Sequence, residues 1–295
     1  MGDRSWLPIV LTAAVTNASV ERVNDPTIDI PLLGLGTWRL SGSSGTQVVL
    51  EALELGYRHI DTAQMYGNED AVGRALAETT VPRDDIWLTT KIDDPNHRPD
   101  DMRRSFEASL AKLRVDRVDL LLIHWPVEWD TMAATLEVLA EFRADGRATH
   151  VGVSNFEVDQ IAFAVDHAPI EVNQIEFHPL LDQTALLQQA KQLGIHITAY
   201  CPIARGLVAD DAACAQVARR HGVTAAQVAL AWVISHPGVS AIPQTSKPHR
   251  LVENLAAGQV RLDAEDVALI DATDKNNRLV SPPKSPWRRP GHERT

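Results

Sequence analysis

Three ionisable residues of different type end three successive apolar runs: Asp61 follows HI, Lys91 follows LTT and His124 follows LLLI. Tyr66 stands five residues beyond Asp61, within GYRHIDTAQMYGNE (56–69). Taken singly, a lysine at a strand end reads as an ion-pair partner and a histidine after an apolar run as a hydrogen-bonded core residue. Four complementary groups at one edge are hard to explain by packing. A phenol ionises near pH 10, so Tyr66 works as a general acid near neutrality only if its pKa falls or its proton is relayed. An ammonium at Lys91 favours the phenolate, and a carboxylate at Asp61 would keep a buried Lys91 charged. His124 would hydrogen-bond a substrate carbonyl or assist the tyrosine's proton. The set holds no nucleophile with its base, no metal cluster and no carboxylate pair placed for glycoside hydrolysis. It can polarise and protonate a carbonyl oxygen. Reduction would also need a hydride, which side chains cannot supply, so a cofactor is implied.

The elements that must position these groups are eight short β-branched or apolar runs. They are LLGLGTW (32–38), HIDTA (59–63), IWLTTKI (86–92), VDLLLIHW (118–125), HVGVSN (150–155), EVNQIEF (171–177), HITAY (196–200) and VSAIPQ (239–244). Between them, apolar residues recur at three- and four-residue spacing, as in MRRSFEASLAKLRV and AAQVALAWVISHPG, the mark of amphipathic helices. Eight strand–helix units predict an α/β chain folded as a (β/α)8 TIM barrel, whose catalytic groups sit where strands end and βα loops begin. The rival, an open doubly wound sheet, binds nucleotides through GxGxxG. Here Gly34 and Gly36 are followed by Arg39 at the third position, and the fingerprint fails. SVERVNDPTIDIP (19–31) predicts a β-hairpin closing the barrel floor, with its turn at Asn24, Asp25 and Pro26. No linker divides the rest, so residues 19–280 are expected to form one domain. Residues 281–295 form a Pro- and Arg-rich tail. The last twenty residues carry four prolines, which predicts an irregular loop over one barrel face.

Composition narrows the function classes. A net charge of −11, from 39 acidic against 28 basic residues, disfavours nucleic-acid binding. Cys201 and Cys214 are the only cysteines; two thiols make neither a disulfide framework nor a zinc site, and fit a reducing cytoplasm. No apolar run approaches the roughly 20 residues of a membrane span. The apolar stretch Trp6 to Val15 lacks the positive flank of a secretory signal, because Asp3 offsets Arg4. Residues 1–18 are expected to be a disordered extension or the product of a misassigned start.

GLGTW, GYRHIDTAQMYGNE, TTK, DLLLIHWP, VGVSNF, NQIEFHP and IPQTSKPHRLVENL together resemble the aldo-keto reductases, NAD(P)H-dependent carbonyl reductases on a (β/α)8 barrel. The resemblance spans about residues 28 to 280. It is strongest to the bacterial 2,5-diketogluconate and methylglyoxal reductase group, and NNRLVSP near the end is similar to its B-type members. It implies a tetrad of Asp61, Tyr66, Lys91 and His124 with Tyr66 as general acid. Ser154, Asn155 and Gln174 would hydrogen-bond the nicotinamide carboxamide, and Tyr200 would stack on its ring. Thr37, Trp38, Cys201, Ile203 and Gln244 would complete the cofactor contacts. Arg250 would meet the 2'-phosphate of NADPH, lined by Thr245 and Ser246, with Glu253 and Asn254 at the adenine. The family commonly has Lys where Gln244 stands and Ser where Cys201 stands; the first narrows the preference for NADPH over NADH. Trp38 and Trp125 would wall a substrate pocket, and a short segment after His124 implies an open one. The resemblance thus implies a small-molecule carbonyl substrate and a monomer, while the charge, the apolar runs and the residue set predict no nucleic-acid partner, no membrane partner and no metal. Two alternatives within the fold are a non-turnover cofactor-binding subunit, like the potassium-channel β subunits, and an alcohol dehydrogenase working in the oxidative direction.

Overall fold

The computed structural model describes residues 28–288. The expected extension at 1–18, residues 19–27 of the expected hairpin and the tail beyond Arg288 lie outside the described residues.

All eight runs contain strands: β1 (Leu35–Gly36), β2 (His59–Asp61), β3 (Trp87–Ile92), β4 (Val118–Ile123), β5 (Ala148–Ser154), β6 (Val172–Glu176), β7 (His196–Tyr200) and β8 (Val239–Ala241). They pair in parallel in chain order. The last strand returns to the first: Leu33 bridges Ala241, and the N–H groups of Gly34 and Gly36 donate to Ala241 and Pro243 carbonyls at 2.8 and 3.2 Å. A Cβ on Gly36 would lie 2.8 Å from the carbonyl oxygen of Ile242, so this seam needs a residue without a side chain.

Among the described residues ten helices run outside the strands: α1 (Gly42–Glu54), α2 (Glu69–Glu78), α3 (Pro99–Leu113), α4 (Met132–Ala144), α5 (Val158–Val165), α6 (Thr184–Leu193), α7 (Ala212–His221), α8 (Ala225–Ile234), α9 (Pro248–Ala256) and α10 (Ala264–Asp271). Both α7 and α8 fall between β7 and β8, so the chain does not keep one helix per strand. Gly222, at φ 66°, ends α7 and lets the chain turn into α8.

Strand parity separates two apolar environments. Ile60, Leu88, Leu121, Ile123, Val151, Val153, Ile197 and Ala199 point outward and share one core with the helices. Burying each of the larger aliphatic side chains contributes about 1.5–3 kcal/mol. The opposite parity points into the barrel, where Leu120, Leu122 and Val172 meet Ile30, with Ile28 and Trp87 packed against them. Asp61, Lys91, Gln174 and Tyr200 share that inward parity, being two or four residues along their strands from His59, Trp87, Val172 and His196.

The floor corrects one expectation. Residues 28–31 are not a strand; Ile28 and Ile30 instead plug the bottom of the barrel. Pro31 has no N–H for a ladder, and its carbonyl faces His59 Nδ1 at 3.3 Å. At the other end, residues 272–288 form a strap. Asn276 bridges Leu181, and the buried Glu176 carboxylate accepts the N–H groups of Leu279 and Val280 at 2.7 and 2.9 Å. The strap is irregular as expected, apart from one 3-10 turn at Pro286–Arg288.

Candidate active site

Asp61 closes β2 and Lys91 is the fifth residue of β3, beside it in the sheet. Lys91 Nζ donates to Asp61 Oδ1 at 2.5 Å, to the Thr62 carbonyl at 2.8 Å and to Tyr66 Oη at 3.3 Å, which engages all three protons of an ammonium. Tyr66 ends a 3-10 turn, Gln64–Tyr66, closed by Gly67 at φ 63°. Gln64 fixes that turn by accepting from the N–H of Asp93 and from Asn96, and by donating to Ser109, each at 3.0 Å. The Tyr66 ring lies edge-on to Trp38 at 4.9 Å and to His124 at 5.7 Å. The four residues expected to act together are therefore in one place.

Their electrostatics differ from the sequence expectation in one respect. Burial is the largest single influence on Lys91 and favours loss of its proton, but the Asp61 carboxylate and the Tyr66 oxygen together outweigh it and hold the ammonium above its ordinary value. The same lysine was expected to bring the Tyr66 phenol down. Burial wins instead, and with help from Asp61 the phenol is raised despite Lys91. At rest Tyr66 keeps its proton. Burial, followed by Lys91 and Lys284, pushes His124 well below its usual range, so its imidazole is neutral. Its Nδ1 is buried without a partner.

The residues assigned to the nicotinamide form a second group on β5, β6 and β7. Tyr200 donates to Asn155 Oδ1 at 2.7 Å, and Asn155 Nδ2 donates to Ser154 Oγ and the His124 carbonyl, both at 3.0 Å. Ser154 Oγ donates to the Gln174 carbonyl at 2.9 Å. Asn155 reaches these partners from a left-handed backbone, φ 64°. Gln174 faces the first group as well: its Nε2 donates to Asp61 Oδ2 at 2.7 Å. Thr37 is fully buried, yet its Oγ1 has no partner. A half-buried aromatic face at Tyr200, amide and hydroxyl groups around it and an orphaned hydroxyl at Thr37 fit a flat ring bearing a carboxamide. Cys201 follows Tyr200 in a left-handed conformation, φ 51°, and burial raises its thiol; Ile203 packs on the main core.

The residues assigned to the adenosine phosphate are of another kind. Gln244, Ser246, Lys247 and Arg250 are exposed around the start of α9. Thr245 is buried and accepts the Lys247 N–H at 3.1 Å, and Asn254 is buried too. Glu253, expected at the adenine, directs its carboxylate to Thr224 Oγ1 at 2.6 Å.

Three residues of the strap reach the site without having been anticipated. Trp287 packs on Trp125 at 5.8 Å, Lys284 lies over the Trp125 ring at 5.1 Å, and Arg278 lies over Trp287 at 4.0 Å. Lys284 also ion-pairs with Asp94. The trace of Lys284 and Trp287 in the sequence is a cluster of aromatic and basic residues among prolines, PPKSPWRR, and Arg278 lies just ahead of it in NNRLVSP. Both tryptophans expected to wall a pocket are at the mouth, but Trp125 is 4% exposed beneath the strap and Trp38 is 43% exposed. The short segment after His124 therefore does not leave the mouth bare. Among the described residues no group of His, Cys, Asp and Glu could hold a metal ion, and no helix is long and apolar enough to cross a membrane.

Comparison with known proteins places the chain in a family. The family model for the "Aldo/keto reductase family" matches residues 32–275. Methylglyoxal reductase DkgB of Escherichia coli O157:H7 is 45% identical over 258 residues, covering 86% of this chain and 96% of that protein. Glyoxal reductase of Bacillus subtilis (strain 168) is 37% identical over 255 residues, covering 85% and 92%. A solved structure provisionally assigned as a 2,5-diketo-D-gluconic acid reductase B superposes with a TM-score of 0.84 at 43% identity, covering 87% of this chain and 92% of its own. An eight-stranded parallel barrel with a buried lysine between a carboxylate and a phenol is thus found in a chain whose relatives reduce carbonyls, and the chain belongs to the aldo/keto reductase family of oxidoreductases.

Proposed function

We propose that the protein reduces small aldehydes and ketones, foremost 2-oxoaldehydes such as methylglyoxal and also keto-sugar acids such as 2,5-diketogluconate, to alcohols with NADPH. One observation carries this reading: Lys91 Nζ stands between Asp61 Oδ1 and Tyr66 Oη, at 2.5 and 3.3 Å. The names of the relatives, which are reductases of methylglyoxal and glyoxal, support the substrate class.

Ser154, Asn155 and Gln174 would hold the nicotinamide carboxamide, with Tyr200 against the ring face and Thr37 beside it. When bound, the dihydronicotinamide supplies the hydride that the side chains lack. The chain's own residues handle the proton. Neutral His124 donates a hydrogen bond to the substrate carbonyl oxygen and aims it at Tyr66. Tyr66, protonated at rest because burial raises its phenol, gives its proton to that oxygen as negative charge develops there. Lys91 then stabilises the phenolate, since a nearby ammonium favours the charged form of a phenol. Asp61 keeps Lys91 charged through the exchange. Trp38 offers the substrate an apolar face, and the strap narrows the mouth around Trp125. Arg250, with Ser246 and Lys247 near the start of α9, suits a 2'-phosphate.

The test is a panel of methylglyoxal, glyoxal, 2,5-diketogluconate and simple aldehydes, each assayed with NADPH and with NADH. Turnover of a 2-oxoaldehyde with NADPH ahead of NADH is expected. Tight binding of NADPH without turnover of any carbonyl would overturn the reading.

A further inference from the structure

Asp61 and Gln174 are 113 positions apart, on strands that face each other across the barrel, and both are at most 2% exposed. In barrels of this kind inward side chains from alternate strands meet in layers near the axis; β2 and β6 contribute these two. The carboxylate of Asp61 has one oxygen on Lys91 and the other on Gln174. The contact makes Gln174 the residue that joins two hydrogen-bonded groups across the mouth: its backbone carbonyl accepts from Ser154, which continues to Asn155 and Tyr200, and its side-chain amide donates to Asp61, which continues to Lys91 and Tyr66. One end consists of residues proposed to hold the cofactor and the other of residues proposed to deliver the proton.

We infer that Gln174 is a positioning residue for proton transfer: its amide N–H holds Asp61 turned toward Lys91 and ties that orientation to the groups around the nicotinamide. The inference rests on the reading of Asp61, Lys91 and Tyr66 as the proton-delivering set. Its physical basis is the cost of leaving a buried carboxylate oxygen without a donor, which favours the neutral form of the group. The remaining titratable groups near the pair offer no substitute. His59 and His124 are held neutral by burial. Glu69 on α2 accepts from the Thr90 and Ser109 hydroxyls. At the end of β7, Tyr200 donates to Asn155, and the Cys201 thiol is raised by burial.

Two variants pull the pH dependence in opposite directions. Gln174→Met keeps the length of the side chain and removes the donor. The Asp61–Lys91 pair then takes up a proton more readily, so the acid limb of kcat moves upward by about one pH unit and kcat falls about tenfold or more. Gln174→Glu keeps the shape and sets a second carboxyl against Asp61, where the two must share a proton. Its protonated form donates as glutamine does, so kcat is best in acid and gains a new loss as pH rises. Each variant is checked by thermal unfolding and by titration with NADPH, and Tyr66→Phe is assayed alongside. Should Gln174→Met fail to fold, the isosteric glutamate variant decides alone. Wild-type pH profiles in the folded variants, whatever happens to NADPH affinity, would overturn the inference and leave Gln174 as a cofactor contact only. If Tyr66→Phe keeps full turnover, the proposed acid is wrong and the inference falls with it. If that variant is inactive while the Gln174 profiles do not move, only the role of Gln174 fails.

Discussion

The mouth and the floor of this barrel both bury histidines, and the two ends use them differently. At the floor, His59 and His196 are the first residues of β2 and β7. His59 faces the Pro31 carbonyl through Nδ1, and His196 meets Ser240 Oγ at 3.0 Å. Burial keeps both neutral, pushing His196 down to about 3. Ile28 and Ile30 pack into the same end. At the mouth, burial likewise lowers His124, but a charged lysine and a protonated phenol stand beside it. The backbone differs as well. Of seven non-glycine residues with positive φ among the described residues, Arg39, Glu128, Asn155, Cys201, Ala204 and Arg205 follow strands at the mouth, while Arg114 ends α3. Such conformations cost free energy and persist where the surroundings over-determine them. A histidine's burial therefore says little about function; the charged neighbours and the strand end it occupies say more.

The largest expected effect lies at the mouth. Lys91→Met removes the ammonium from Tyr66 and should lower kcat by about 10²–10⁴-fold. It also leaves Asp61 buried without its counter-charge, which costs about 3–5 kcal/mol of stability. Single-turnover kinetics and thermal unfolding read the two losses separately, and a kcat near wild type would erase the distinction between the ends. The floor should affect stability alone. Because His196 is neutral in the fold down to about pH 3, while an unfolded histidine binds a proton below about 6.5, the unfolded state holds more protons across that interval. Stability therefore falls as pH drops through it, by about 1.4 kcal/mol per pH unit at most for this group. Denaturant unfolding at a series of pH values should show a shallower slope in His196→Gln, with kcat at neutral pH unchanged.

Smaller effects separate the exposed rim of the mouth from its buried centre. Arg250→Ala should weaken NADPH by about tenfold, the loss of a charge-assisted contact, and leave NADH affinity and kcat alone. Gln244→Lys should tighten NADPH by only a few-fold, because an added charge at an exposed position contributes about 0.2–1 kcal/mol. Fluorescence titration with both cofactors measures each. Equal effects on NADPH and NADH would show that neither residue reads the 2'-phosphate.

Asp61, Lys91 and His124 were legible in the sequence because a strand's parity and its end are visible in a run such as IWLTTKI, and Tyr66 because its loop follows directly. The eight strands were legible for the same reason. What stayed hidden depends on residues far apart in the chain. Gln174 meets Asp61 only when β6 curls opposite β2. Trp287 covers Trp125 because Glu176 anchors the strap at Leu279, 103 positions later. The direction of the Tyr66 shift follows from burial, which no local spacing reveals. The hydrogen bond that Thr224 gives Glu253, 29 positions away, was equally invisible. At 28–31, alternating isoleucines suggested a strand, whereas they fill the barrel's bottom.

The most direct measurement is single-turnover hydride transfer from NADPH to methylglyoxal in Tyr66→Phe, with NADPH affinity determined on the same preparation. The expected result is unchanged affinity and a rate lower by about 10²–10⁴-fold. A rate within a few-fold of wild type, with the cofactor bound normally, would contradict the assignment of Tyr66 as the proton donor.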